Sequence, residues 1–170
     1  MTTYRFNGRV AEIVPDPEPE NPRDFENDTV FVCFHKRYRL GDRSDYKSSS
    51  FSGWPELKRA IVKDHAPMAI QPLFMLDHSG LAFSVEPFGD PWDSGQVGFV
   101  YVPKKKLRTK KLAEAAIERE VEEYDLYHNG GPYYVKLDDD IHCGYYARRD
   151  DEETIVRELL GMKPEDAFSD

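Results

Sequence analysis

The sequence predicts an α+β fold, a mostly antiparallel sheet packed by two to three helices on a single face. Three observations predict it. Short β-branched and aromatic runs follow one another with turn residues between them, the pattern of antiparallel strands. A few other segments repeat apolar residues at helical spacing. Strands and helices do not alternate regularly, which argues against a doubly wound parallel sheet. A length of 170 residues suits one domain, expected over 1–170, with enough core to fold without disulfides or metal.

Along the chain, a short first segment, Arg9–Val14, comes before residues 15–28. That stretch holds four Pro and six acidic side chains. Missing backbone donors and mutual repulsion predict a mobile acidic loop or extended arm. Thr29–His35 reads as a buried strand from its β-branched and aromatic content. Ser44–Ser52 is a polar loop. Trp54–His65 is a helix, with Leu57 and Ile61 in phase, Val62 as a further apolar candidate, and Pro55 tolerated in the first turn. Ile70–Leu76 and Leu81–Val85 form a hairpin around Asp77-His78-Ser79-Gly80. Residues 86–96 form a long connection, and Val97–Val102 is an apolar strand.

Thr109 caps a helix from Lys110 to His128, with Leu112, Ala113, Ala116, Ile117, Val121 and Tyr124 expected inward and Gly130 as its stop. Tyr133–Leu137 and Ile141–Arg148 form a second hairpin around Asp138-Asp139-Asp140. Asp150 or Asp151 caps a last helix that buries Ile155, Val156, Leu159 and Leu160. Gly161 ends it, and residues 162–170 are expected to fray.

Composition bounds the function classes. The chain is 39% hydrophobic and 32% charged with a mean hydropathy of −0.69, polar but foldable. Aromatics at 13% argue against wholesale disorder. No run approaches a membrane span, and the first twenty residues lack the order of a signal peptide. A net charge of −9 disfavours a surface wholly given to nucleic acid, though a local basic patch remains compatible with it. Cys33 and Cys143 lack metal-ligand spacing and read as reduced thiols of the cytoplasm.

Five constellations could carry function. His35-Lys36-Arg37-Tyr38-Arg39-Leu40-Gly41-Asp42 leaves a strand end. Arg37 there could grip an anion, with Asp42 setting the turn. The plainer reading is an Arg–Asp network that ties a loop down. In the second, Asp77, His78 and Ser79 are too close in sequence for a hydrolytic triad, and a tight turn explains most of them. In the third, residues 87–96, Trp92 offers a stacking face, Asp93, Ser94 and Gln96 offer polar groups, and the length of the connection itself suggests use. An Ω-type loop packed on Trp92 is the structural alternative.

The fourth is the basic run Lys104, Lys105, Lys106, Arg108, Lys110 and Lys111. It precedes a helix N-terminus, where the dipole favours anions, so an anionic partner or the acidic stretch in cis would complement it. The fifth is the row Glu114, Glu118 and Glu122. Such carboxylates can imitate a phosphate backbone, although a solvated face is the simpler account. His35, Asp77, His78, Asp93, His142 and Cys143 include metal-ligating types, but without HExxH, HxH or CxxC spacing no metal or other cofactor is expected.

The strings HKRYRLGD, FMLDHSG and PFGDPWDSGQVGFVYV, in this order, resemble a family of uncharacterised phage and prophage proteins. The resemblance covers about residues 29–148. His35, Arg37, Tyr38, Gly41 and Asp42 match the first block, Asp77 to Gly80 the second, and Pro91 to Gln96 the third. Leu76 departs from the family, which tends to have Tyr there. The resemblance implies a phage-associated protein in the cytoplasm of the infected host cell and supplies no mechanism.

Two functions follow as expectations. In the first, the protein is a phage accessory protein that binds a host protein or protein–nucleic-acid complex, such as a component of host defence, through its charged surfaces. The sequence carries no convincing catalytic signature, its catalytic residues are left unassigned, and no membrane partner is expected. In the alternative, the polar blocks converge into a pocket for a nucleotide-like small molecule, which is bound or hydrolysed. Arg37 would hold an anionic group, His78 or His35 would move protons, Asp93 would orient a His or a water, and Trp92 would stack on a ring.

Overall fold

The computed structural model describes residues 2–129, 131–146 and 152–169, with 143–146 described as strand backbone only. In chain order the elements are β1 (Thr2–Phe6), β2 (Arg9–Pro15), β3 (Val30–Cys33), α1 (Trp54–His65), β4 (Ala69–Asp77), β5 (Leu81–Ser84), β6 (Ser94–Val102), α2 (Lys110–His128), β7 (Pro132–Leu137), β8 (Asp140–Tyr146) and α3 (Glu152–Leu160). The α+β class holds. The strands form two four-stranded antiparallel sheets rather than one. The chain divides into two compact units, residues 1–20 with 126–170, and residues 21–125, where a single domain was expected. The expected stop at Gly130, the cap at Asp150 or Asp151 and the side chain of Cys143 lie outside the described residues.

The first unit orders its strands β1-β2-β7-β8. Asn7 and Gly8, at φ 50° and 78°, make the two-residue turn between β1 and β2. Its core joins Ala11, Ile13, Tyr133, Val135 and Leu137 to Val156 and Leu160 of α3. The expected frayed tail is instead held down. The Phe168 ring lies 4.8 Å from that of Tyr4, the Arg157 guanidinium lies 4.9 Å over Phe168, and the Ser169 amide donates to the Arg5 carbonyl. An aromatic residue near the chain end can dock where a polar tail cannot.

The second unit orders its strands β3-β6-β4-β5 and is covered on both faces rather than one. Phe31, Leu73, Met75, Phe83, Val100 and Val102 meet Ala113, Ala116, Ile117, Val121 and Tyr124 of α2. Val32, Phe99 and Tyr101 meet Leu57 and Ile61 of α1. The reason is visible in β6, which is buried at every position from Val97 to Val102. A strand apolar at consecutive positions has no side left for solvent. Gly98 is the small member of that run because a Cβ there would come within 2.0 Å of the Val32 carbonyl oxygen.

Three expectations for this unit need correction. Leu112 and the candidate Val62 are half exposed, and α2 turns Glu120 inward beside Val121 and Tyr124. Ser94, Gly95 and Gln96 belong to β6, opposite Leu76, Met75 and Phe74, so the irregular connection ends at Asp93. The stretch 15–28 is no free arm at its second half, because Pro22–Asp24 form a short 3-10 helix that buries Arg23 to 4% exposure.

Arg23 makes a paired donation to Asp42, 2.9 Å from Nε to Oδ1 and 2.8 Å from Nη2 to Oδ2, and its Nη1 lies 2.8 Å from Glu120 Oε2. Glu120 also accepts from the Asp28 and Thr29 amides and the Thr29 hydroxyl. Burial alone would push the Glu120 carboxyl up. The bonds from Thr29, Arg23 and Asp28 outweigh it and hold the group below its ordinary value.

Candidate functional site

All three polar blocks fall in the second unit. Asp42 closes the first as a loop on β3. Its amide donates to the Phe31 carbonyl, and its carboxylate accepts the Phe31 amide at 2.8 Å. Gly41, at φ 66°, fits where a Cβ would lie 2.8 Å from Cys33 Sγ and from the Phe31 oxygen. Asp42 is therefore part of a network that ties the loop down, with Arg23 rather than an arginine of the block as its partner.

Inside this loop, His35 Nδ1 accepts the Arg37 and Tyr38 amides at 3.3 and 3.2 Å. Those two bonds place the proton of the neutral imidazole on Nε2. The His35 ring stacks on Tyr38 at 5.0 Å, and the Arg37 guanidinium lies 5.0 Å from the same ring. The Tyr38 hydroxyl donates to Asp77 Oδ2 at 3.0 Å, and Arg37 Nη1 lies 3.6 Å from that oxygen. Burial and the Asp77 bond push the Tyr38 phenol up.

The second and third blocks meet because of strand register. Leu76 pairs with Ser94, so the next positions out, Asp77 and Asp93, join through a bond from the Asp77 amide to the Asp93 carbonyl at 2.8 Å. One residue further, His78 Nδ1 lies 3.0 Å from Asp93 Oδ2. The hydrogen bond and charge of Asp93 raise the His78 pKa. Asp90 Oδ1 accepts the amides of Trp92 and Asp93, which hold its carboxyl below the usual carboxylate range. The Ser94 hydroxyl donates to the Asp90 carbonyl, and Gln96 Nε2 donates to the Gly98 carbonyl, so both serve the loop and strand. Ser79 occupies the turn at φ 59°. Trp92 is 92% exposed and does not anchor an Ω-type loop.

Arg37, Asp77, His78 and Asp93 thus converge at one edge of the unit, but they do not line its cavity. A cavity of about 770 Å³ opens between the His35 loop and the start of α1. Phe34, Phe51, Trp54 and Leu57 form an apolar wall, and His35, Lys36, Tyr38 and Arg39 add polar and cationic groups. Phe34 is nearly parallel to Trp54, at 6.4 Å and 13°, and to Phe51, at 6.5 Å and 21°. Cys33 also lines it, its thiol pushed up to about 12 by burial and by Asp42.

Sequence reasoning missed Phe34, Phe51 and Trp54 as site residues. Their signal is aromatic residues bracketing a Ser-rich loop that runs from a strand end to a helix start. Tyr38 joins the two regions, with its ring in the cavity wall and its hydroxyl on Asp77.

The charged surfaces lie elsewhere on this unit. Lys104, Lys105, Arg108 and Lys111 are exposed in the turn before α2 and in its first turn. Lys106 lies 3.7 Å from Glu26 of the acidic stretch, and Lys110 lies 3.4 Å from Glu114. Glu118 and Glu122 are exposed. Comparison of the chain with protein-family models, curated proteins and solved structures finds no match.

Proposed function

We propose that the protein binds a small molecule made of a planar ring and an anionic group, a nucleotide-like ligand, in the cavity beside α1. The observation that carries this reading is one cavity with an aromatic wall and cationic side chains together. Its size falls within the range of ordinary ligand pockets. The parallel aromatic rings offer stacking faces, each worth about 0.5–1.5 kcal/mol beyond area burial. Lys36 and Arg39 supply positive charge, and His35 Nε2 supplies a neutral donor. The reading is one of binding, because the His78–Asp93 pair lies outside the cavity lining.

The chain has two tryptophans, and the Trp92→Phe variant leaves Trp54 as the sole reporter in the cavity wall. Titration of that variant with nucleoside monophosphates should quench its fluorescence saturably. Lys36→Ala with Arg39→Ala should weaken the anionic ligands more than the parent nucleosides. No saturable quenching with nucleotides, nucleosides or other aromatic anions removes the proposal.

A second reading, a phage accessory protein that docks on a host protein or protein–nucleic-acid complex, is supported by the exposed Lys104, Lys105, Arg108 and Lys111 in an acidic chain. The phage association and a place in the host cytoplasm rest on the sequence resemblance. Reversing these four charges should abolish capture of a host partner from lysate, and unchanged capture removes this reading.

A further inference from the structure

We propose that His78, Asp90 and Asp93 form a binding site for one first-row divalent cation of the zinc or manganese type. One ligand atom from each of the three lies within 4.8 Å of the other two. Any three atoms so spaced share a point within about 2.8 Å of each, so bonding needs only a small inward rotation of the side chains. The His78 nitrogen and the Asp93 oxygen already stand 3.0 Å apart. Ligand atoms on bonds of about 2.1 Å stand about 3.0 Å apart on an octahedron and about 3.4 Å apart on a tetrahedron, so the hydrogen-bonded pair needs little movement to share one cation.

The donor set chooses the metal. An imidazole nitrogen with carboxylate oxygens suits zinc, manganese and their neighbours. Calcium takes six to eight oxygens, and magnesium binds mainly through carboxylates and water, so neither uses the imidazole. Two carboxylates neutralise a dication. The side chains of His78 and Asp93 are 67% and 45% exposed, which leaves the remaining coordination positions open to water or to a ligand. A cation bound through His78 Nδ1 takes the place of any proton on that nitrogen.

The site joins two segments, the 77–80 turn and the 90–93 loop, and so leaves no short-range sequence motif. It is separate from the proposed ligand cavity, whose lining includes none of the three.

The test is calorimetric titration of the chelator-treated full chain with zinc chloride, and with magnesium and calcium chlorides for comparison. The expected result is one zinc per chain, with magnesium and calcium bound at least tenfold more weakly. His78→Gln, Asp90→Asn and Asp93→Asn should each weaken zinc at least tenfold, whereas His35→Gln and His142→Gln should not. Asp90→Asn keeps a carbonyl oxygen for the Trp92 and Asp93 amides, so its loop stays formed. Melting temperatures of the variants check the fold. Absence of stoichiometric zinc binding, or binding that survives His78→Gln or Asp93→Asn, overturns the proposal. A second readout is paramagnetic broadening by manganese, which should strike the His78 imidazole resonances first. Broadening centred on His35 or His142 also overturns it.

Discussion

Replacing Glu120 with Ala removes the acceptor that joins α2 to the entrance of β3. The carboxylate is 4% exposed, as is its partner Arg23. Its loss leaves Arg23 with Asp42 as its ion-pair partner and with the Thr29 carbonyl as a neutral acceptor, and strips the Thr29 hydroxyl and the Asp28 amide of the acceptors they now use. A buried donor left unpaired costs about 1–3 kcal/mol, and breaking a buried ion pair from one side costs about 3–5 kcal/mol. These costs describe the same broken contacts and overlap, so the expected loss is about 4 kcal/mol. That is a large share of the about 5–15 kcal/mol by which a domain is usually stable.

Urea unfolding followed by far-ultraviolet circular dichroism measures that loss. Glu120→Gln keeps one acceptor oxygen and should fall between wild type and Glu120→Ala. The pH dependence supplies a sign. Glu120 is held below its ordinary pKa in the folded chain, so its contribution is present above the unfolded value and fades as pH falls through the folded one. Glu120→Ala should therefore flatten the acid limb of the stability curve. A loss under about 1 kcal/mol, or an unchanged acid limb, would refute the assignment of Arg23, Asp42 and Glu120 as one stabilising unit.

Three further outcomes are expected. Gly98→Ala places a Cβ where the Val32 carbonyl oxygen stands, so it should destabilise the chain by at least about 1–3 kcal/mol in the same unfolding assay, and a neutral substitution would contradict the strand packing. Asp93→Asn should lower the His78 titration midpoint in an NMR pH series towards the ordinary value of about 6.5, and an unmoved midpoint would mean that Asp93 does not set it. In a Cys143→Ser background, Cys33 should react with a thiol reagent at pH 8 far more slowly in the folded chain than in urea. Equal rates would show that the folded chain leaves the thiol as reactive as unfolding does.

Local pattern made some of the fold legible. The helix over Trp54–His65 matches residue for residue, because Leu57 and Ile61 at helical spacing and Pro55 in the first turn agree with one another. The hairpin around Asp77–Gly80 was legible for the same reason. The second face of the β3-β6-β4-β5 sheet was not, although the apolar run in β6 carries the signal. The inward turn of Glu120 was not legible at all. Its partner Arg23 is 97 residues away, inside a stretch whose composition reads as exposed. Such a pair is decided by tertiary contact, which periodicity does not record.

The candidate site divides in the same way. Residue types and order brought the three blocks together, and strand register then placed Asp93 beside His78. The aromatic cavity depends on how the Ser-rich loop returns to α1, which no local spacing fixes. Trp92, which looked like the stacking ring, points to solvent, while Trp54, which looked like the start of a helix, lines the cavity.

Tyr38 has a thermodynamic consequence. Its ring belongs to the cavity wall and its hydroxyl belongs to Asp77, whose chain neighbour is His78. An occupant that turns this ring must break the bond to Asp77, a change of about 1 kcal/mol or a factor of about five in affinity. Linkage makes such a coupling reciprocal. Under the proposed binding, an occupant of the cavity that breaks the Tyr38–Asp77 bond and a cation bound beside Asp77 would change each other's affinity by one and the same factor.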